Sequence, residues 1–281
     1  METNTKISKI EDIIPDDEIF PIINLVYQSK ILKSKELNTN SMVISCLDLI
    51  SRERINIRFS EEIQSIKAGK KPLLNTGHKR ELEIMEKIEF TINSKQMKKL
   101  YQRDQTVLKM FKDINKNHVF DLKSMYEKIS KKEVAINFAK YFNNYVKSVQ
   151  RETKFNEKEY GNIIKDGTFT FEGNELHKEW NEFKHAIKSD KSYYTDVENE
   201  SEFFDKYLIY GKCFEIEKDV LKNIQKTNPD YDSKLYKFLS YNGDELLKLN
   251  FDKGLSNSKI ERKGDGSIPA GNSKYFVPGF G

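Results

Sequence analysis

Apolar residues recur at intervals of three and four along most of the chain, which is the spacing of one buried helix face. The clearest example follows a polar run at 38–41, whose side chains can cap a helix. Its apolar positions are Val43, Cys46, Leu47 and Ile50. The same spacing predicts further helices at 15–28, 104–114, 121–129, 131–151, 176–187, 203–208, 216–224 and 235–249.

Two segments instead alternate apolar and polar residues with a period of two, which predicts strands at 54–59 and 87–92. Helices followed by two strands, with a basic loop between those strands, are typical of a winged-helix unit. A helix, a short strand at 119–120 and two more helices come next, so the order of elements recurs. This order, without any sequence identity between the two segments, predicts a second winged-helix-like unit.

We therefore predict an α+β protein, mostly α, with tandem winged-helix-like units followed by a helical C-terminal segment. The predicted bounds are 10–95 and 96–155 for the two units and 156–250 for the helical segment. Residues 251–281 hold six of the 13 glycines in the chain. Because glycine favours flexible backbone, this last segment is predicted to be a flexible Gly-containing tail.

Composition and charge say more about the environment of the protein than about its partner. The chain has 48 basic and 44 acidic residues, which gives a net charge of +4, typical of a mixed solvated surface. Cys46 and Cys213 both lie in apolar segments, so we expect buried, reduced thiols rather than a disulfide or a thiolate metal site. No apolar run approaches the roughly 20 residues that span a bilayer.

Three segments carry a family resemblance that extends over residues 15–225. The first holds a proline-led helix at Pro21, the run Leu47-Asp48-Leu49 and the strand residues Ile55-Asn56-Ile57. The second holds Gly173, Trp180, Phe183 and Ile187, and the third is Tyr207-Leu208-Ile209-Tyr210. In order and spacing, these residues resemble the cytosolic C-terminal region of the YciQ-like predicted membrane protein family, a domain of unknown function.

Members of that family carry an external domain, membrane helices and then this region. The resemblance therefore implies a cytoplasmic location, as the soluble region of a membrane-anchored protein. Ile209 stands where the family has a proline, and Glu53 and Arg54 stand where it turns on glycine. Since the family has no established reaction, the resemblance implies location and fold rather than chemistry.

Two basic surfaces are candidates for contact with an anionic partner. The first is the outer face of the helix predicted at 131–151, and the second is the basic loop between the two predicted strands. Their candidate residues are Lys140, Asn144, Lys147 and Arg151 on the helix, and Lys70, Lys71, Lys79 and Arg80 in the loop. Such residues could meet phosphates or anionic headgroups, and they are equally compatible with an ordinary solvated surface.

A DNA-reading helix is a weaker prediction. The helix that would enter the major groove presents an outward face composed of Ser41, Ser45, Asp48 and Arg52. An acidic and a basic residue cancel there, and neither Asn nor Gln stands at its centre to read a base edge. This face is therefore expected to have a structural role.

Readable catalytic signals are missing from the sequence. It contains no nucleophile elbow, no phosphate-binding glycine loop, no dinucleotide fingerprint and no histidine pair with zinc spacing. We therefore expect no catalytic residues, no metal and no cofactor. Trp180, Phe183 and Tyr207 could line a ligand groove, but aromatic residues at helical spacing favour a core, so no small-molecule ligand is evident.

The sequence predicts an interaction module that binds a protein partner or an anionic membrane surface, and not an enzyme. The alternative is a nucleic-acid-binding winged-helix protein that uses the basic long helix and the basic loop. The two differ in their response to salt, because phosphate-driven binding weakens steeply as salt rises and a largely apolar protein interface does not.

Overall fold

A computed structural model describes residues 38–63, 77–93, 100–152, 164–165, 168–195 and 200–258. In chain order the elements are α1 (Thr39–Ser51), β1 (Ile55–Phe59), α2 (Gly77–Glu86), β2 (Ile88–Ile92), α3 (Gln102–Asn115), β3 (Val119–Asp121), α4 (Leu122–Ile129), α5 (Lys132–Glu152), β4 (Ile164–Lys165), β5 (Thr168–Phe169), α6 (Phe171–Ser189), a 3-10 turn (Lys191–Tyr194), α7 (Glu200–Cys213), α8 (Glu217–Thr227), α9 (Lys234–Ser240) and α10 (Gly243–Ser258). The predicted class, α+β and mostly α, is confirmed. The helix predicted at 15–28 lies outside the described residues.

Helix α1 is buried around almost its whole circumference. The side chain of Asn38 caps it by accepting a hydrogen bond from the backbone N–H of Ser41 at 3.2 Å, as the polar run predicted. Helices α3, α7, α9 and α10 all pack against it. A helix that is buried on all sides lies in the centre of a core rather than on a binding surface.

The outward orientation predicted for Ser41 and Ser45 on α1 is wrong, whereas Arg52 of the same predicted face is exposed. Ser41 and Ser45 are each only 1% exposed, because Tyr145 of α5 packs against them. The Tyr145 hydroxyl donates to the carbonyl oxygen of Ser41 at 2.8 Å and lies 2.9 Å from the hydroxyl oxygen of Ser45. This face joins two helices and is not free to enter a DNA groove.

Removing the Tyr145 hydroxyl tests this buried contact. We expect Tyr145→Phe to lower the free energy of unfolding by about 1–2 kcal/mol, because the Ser45 hydroxyl then loses its partner away from water. Urea denaturation measures the change. Tyr101→Phe is the matched control, since Tyr101 is 58% exposed and its change should stay within about 0.5 kcal/mol. Equal stability of the two variants would contradict the assignment.

Strands β1, β2 and β3 form one antiparallel sheet in that order. Ile57 pairs with Phe90, and Phe90 pairs with Phe120, so the apolar side chains of the three strands lie on one face. Strand β3, which was assigned to the second predicted unit, thus completes the sheet of the first. One cluster of buried apolar residues includes members of all three predicted segments, among them Val43, Phe138 and Phe204.

The basic loop between the two strands is partly helical. Residues 77–86 form α2, whose Leu82 and Ile84 pack against the core and whose Met85 is fully buried. Lys79 and Arg80 therefore lie in the first turns of a helix and not at a loop tip, which corrects the prediction. The apolar residues within 82–85 stabilise this helix, because burying their side chains against the core is favourable. Lys70 and Lys71 lie outside the described residues.

Helix α10 contradicts the predicted start of the tail at residue 251. It continues to Ser258, and Phe251 is fully buried among aromatic side chains of α3 and α5. Gly254 allows the close approach of the helices, because a Cβ atom there would lie 2.5 Å from Phe138 and 2.9 Å from Ile129. This glycine is required by packing rather than by flexibility.

The aromatic residues of the C-terminal helices are core, as their spacing predicted. Trp180 is 2% exposed and stacks on Tyr210 with ring centroids 5.7 Å apart, while Phe183 lies edge-on to Tyr210 at 5.2 Å. Cys46 and Cys213 are buried free thiols. Among the ranges that the structure describes, no helix combines the length and the apolar character needed to cross a bilayer.

Candidate anion-binding groove

The outer side of α5 carries the first of the two predicted basic surfaces. The inner side packs through Phe138, Tyr145 and Val149, which are buried. Because a helix turns once in 3.6 residues, the side chains between these positions point away from the core. The exposed ones include the predicted residues Lys140, Asn144, Lys147 and Arg151. The structure thus places all four on one exposed helix face.

Helix α3 packs beside α5 and supplies a second row of cations that the sequence reasoning missed. Lys109 and Lys112 of α3 and its C-cap residue Lys116 are exposed, while Leu108 and Phe111 of α3 are buried. Their spacing of three and four residues was the available signal. It could not be interpreted without knowing that α3 and α5 are neighbours, since lysine on a helix is common at any exposed position.

The two rows line a continuous depression, which we call the α3–α5 groove. It consists of two adjoining hollows of about 740 and 600 Å³. Both hollows are lined by Lys109, Asp113, Tyr141 and Asn144, which join them into one groove. Its further polar and charged lining residues are Gln102, Gln105, Thr106, Lys112, Lys116, Glu133, Asn137, Lys140, Lys147, Ser148 and Arg151.

The floor of the groove is held by one cross-helix contact. The hydroxyl of Tyr141 in α5 donates a hydrogen bond to Oδ2 of Asp113 in α3. Partial burial and the adjacent carboxylate raise the pKa of Tyr141 to about 12, so the hydroxyl remains a donor at physiological pH. The bond fixes the two walls relative to each other and engages one of the two acidic groups in the groove.

The charge of the groove is strongly unbalanced. Six cationic side chains face two acidic ones, Asp113 and Glu133. None of the six has a carboxylate partner within the described part of the chain. They are Lys109, Lys112, Lys116, Lys140, Lys147 and Arg151. Concave surfaces lined by one sign of charge concentrate the field and attract ligands of the opposite sign.

The second predicted surface does not join this groove. Arg80 lines a different hollow, of about 640 Å³, between α2 and α10, where acidic side chains balance the basic ones. Lys79 is exposed on α2 and lines neither part of the α3–α5 groove. The structure therefore separates the four helix residues of the prediction from Lys79 and Arg80.

A cluster of carboxylates lies elsewhere, between α7, α8 and α10. Oxygen atoms of Glu217, Asp244 and Glu245 lie within 4.8 Å of one another. The ammonium group of Lys212 lies 2.6 Å from both Asp244 and Glu245. Burial opposes the charge of Lys212, but the two carboxylates outweigh it and raise the pKa of this lysine above its ordinary value. We assign the cluster to an ion-pair network around Lys212, in which Lys212 and Asp244 are buried and Glu245 is exposed.

A further charged network fixes the C-terminal end of α1. Arg52 donates to Asp48 at 2.6 Å and to the fully buried Asp104 of α3 at 2.8 Å. Burial raises the pKa of Asp48, and the charge of Arg52 opposes that rise. Asp48 and Arg52, the two charged residues of the face for which a structural role was expected, thus belong to a network that joins α1 to α3.

Comparison with known proteins adds nothing to this geometry. No family model, no curated protein and no solved structure matches the chain. The resemblance to the YciQ-like family therefore stays a prediction.

Proposed function

We propose that the protein is a binding module whose α3–α5 groove holds an extended polyanion. One observation carries this proposal: six cations without carboxylate partners in the described chain line a groove that holds only two acidic groups. A row of like charges costs free energy through mutual repulsion, and an anionic ligand relieves that cost. The role is recognition, not catalysis.

The ligand classes follow from the chemistry of the walls. Lysine side chains act as flexible point charges and suit phosphates or carboxylates spaced along a line, without demanding a fixed bidentate geometry. An acidic protein segment, an anionic membrane surface and a nucleic acid all offer such charges. If the protein is the cytosolic region of a membrane-anchored protein, as the family resemblance implies, each of these ligands lies within its reach.

We also propose a winged-helix-like unit for the predicted range 10–95, of which the structure describes residues 38–63 and 77–93. A buried helix followed by an antiparallel strand pair, β1 and β2, supports this description. The insertion of α2 between the strands and the recruitment of β3 into the same sheet are departures from a simple wing. The second such unit is proposed only from the order of helices α3, α4 and α5.

Reversing the charge of one groove wall tests the proposal. We expect Lys140→Glu, Lys147→Glu and Arg151→Glu together to weaken polyanion binding about 100-fold at low salt, since each cation contributes about 1 kcal/mol at an anionic surface. The probes are oligothymidylate, vesicles containing phosphatidylserine, and polyglutamate. Fluorescence anisotropy or co-sedimentation over a salt series measures the affinity.

A charge-matched control separates the groove from the overall charge. Lys178 of α6 and Lys222 and Lys226 of α8 are exposed and lie on other elements. Changing these three to glutamate alters the net charge equally and should leave the affinity within about twofold of wild type. If both triple variants lose the same affinity, or if wild type binds none of the three probes, the proposed function fails.

A further inference from the structure

One end of the α3–α5 groove carries an exposed aromatic ring. Tyr101 is 58% exposed and directly precedes Gln102, which lines the groove together with Arg151 at the N-terminal end of α3. In the described part of the chain, the exposed large apolar side chains are Tyr101, Val119 and Phe171. An aromatic side chain left in water beside a binding groove is available to a ligand.

The orientation of this ring is held from one side. The guanidinium carbon of Arg103 lies 4.4 Å from the centroid of the Tyr101 ring, and Arg103 itself is only 5% exposed. A buried arginine side chain has little conformational freedom. The guanidinium therefore lies at a fixed position and is attracted to the negative face of the Tyr101 π-system. Tyr101 makes no side-chain capping bond to α3, and so its ring is not required for that end of the helix.

The combination of a cationic groove and an aromatic platform is selective among polyanions. Nucleic acid supplies phosphates for the lysines and a flat base for the ring, which is how single strands are bound without sequence preference. A lipid headgroup layer and an acidic peptide segment supply charge alone. The bases of a duplex are stacked inside it and must be flipped out to be reached, whereas a single strand offers free base faces to an aromatic ring, so the ring and groove suit one strand better than a duplex.

We propose that the ligand of the α3–α5 groove is single-stranded nucleic acid, with its phosphates along the lysine rows and one base stacked on Tyr101. This inference rests on the proposed function and specifies its ligand. Gln102, the residue that follows Tyr101 in the chain, is exposed, and its side-chain amide can hydrogen-bond to the edge of a base. Because every base has a π-face, little sequence preference is expected.

The test compares two strands of equal length and charge, oligothymidylate and an abasic deoxyribose phosphate strand. Wild type should bind oligothymidylate about fivefold or more tightly than the abasic strand, which is the low end of one base–aromatic stack. Tyr101→Ala should abolish this difference and leave the affinity for the abasic strand unchanged. Tyr101→Phe keeps a π-face and should retain most of the difference. Fluorescence anisotropy gives all the affinities, and thermal melting shows whether each variant is folded.

The outcomes distinguish the inference from the function it rests on. Equal binding of the two strands by wild type, or an unchanged preference in Tyr101→Ala, overturns the role of the base. Binding of anionic vesicles without binding of either strand also overturns it, while the polyanion-binding function stands. If the variant with Lys140, Lys147 and Arg151 changed to glutamate binds oligothymidylate as wild type does, the groove itself is excluded and both proposals fail.

Discussion

Replacing Lys212 with methionine is expected to lower the free energy of unfolding by about 3 kcal/mol near pH 7, because it leaves carboxylates without their counter-charge in a buried site. The side chains of Lys212 and Asp244 are 6% and 4% exposed, so water can compensate little of the loss. Glu245, at 53%, is solvated and limits the effect to the lower part of the usual range. Urea denaturation followed by circular dichroism measures the change.

The same variant should recover stability as the pH falls. Burial raises the pKa of Glu217, and the charge of Lys212 opposes that rise, so the pKa of Glu217 increases further once the lysine is removed. A carboxyl group whose pKa is higher in the folded than in the unfolded state binds its proton more tightly when folded. Stability therefore increases as pH falls through the folded pKa. The deficit should be smaller at about pH 5 than at about pH 7.

Lys222→Met provides the matched control for this experiment. Lys222 lies on the adjacent helix α8, is exposed, and has no ion pair within the described residues. Its replacement should change the free energy of unfolding by no more than about 0.5 kcal/mol at either pH. If Lys212→Met is as stable as Lys222→Met near pH 7, the Lys212 ammonium group does not provide the charge that balances these carboxylates.

Local signals predicted most helices and strands well. Asn38 and Asp121 cap α1 and α4 through their side chains, and both stand at the start of a segment whose apolar spacing predicted a helix. The apolar stripe of α5 predicted its bounds within one residue, as 131–151 against Lys132–Glu152. These features depend on contacts within a few residues, which a single sequence contains.

Features that depend on contacts between distant residues could not be predicted. Serine normally favours exposed positions, and Ser41 and Ser45 are buried only because Tyr145, about a hundred residues away, packs against them. Gly254 belongs to a glycine-containing segment and indicated flexibility, although its lack of a side chain serves helix packing. In both cases tertiary structure overrides local preference.

For the same reason, only one of the two walls of the α3–α5 groove could be predicted from the sequence. Lys140, Asn144, Lys147 and Arg151 were found from their position opposite an apolar stripe. Their counterparts on α3 required knowledge of which helices are neighbours. Tyr101 follows a segment without clear periodicity, so nothing local distinguished it from a residue that packs into the core. A polar groove between two helices therefore becomes visible only in three dimensions.

Helix α10 connects the stability of the core to the shape of the groove. It packs against α4 and α5 on the side of α5 opposite the groove. Phe251 stacks on Phe138 of α5, with ring centroids 5.5 Å apart, and contacts Phe111 of α3 at 6.2 Å. One buried ring thus contacts the inner faces of both helices whose outer faces carry the lysine rows.

Replacing Phe251 with alanine should accordingly cost about 3–5 kcal/mol, because a fully buried ring is removed from a packed aromatic cluster and leaves a cavity. Phe171→Ala is the control with identical chemistry, since Phe171 is 81% exposed, and it should change stability by no more than about 0.5 kcal/mol. Thermal and urea unfolding compare the two. A flexible tail beginning at residue 251 would make both variants equally mild, whereas a buried α10 makes Phe251→Ala much the more destabilising. Because Phe251 spans α3 and α5, the same variant should also weaken oligothymidylate binding under conditions in which it is still mostly folded.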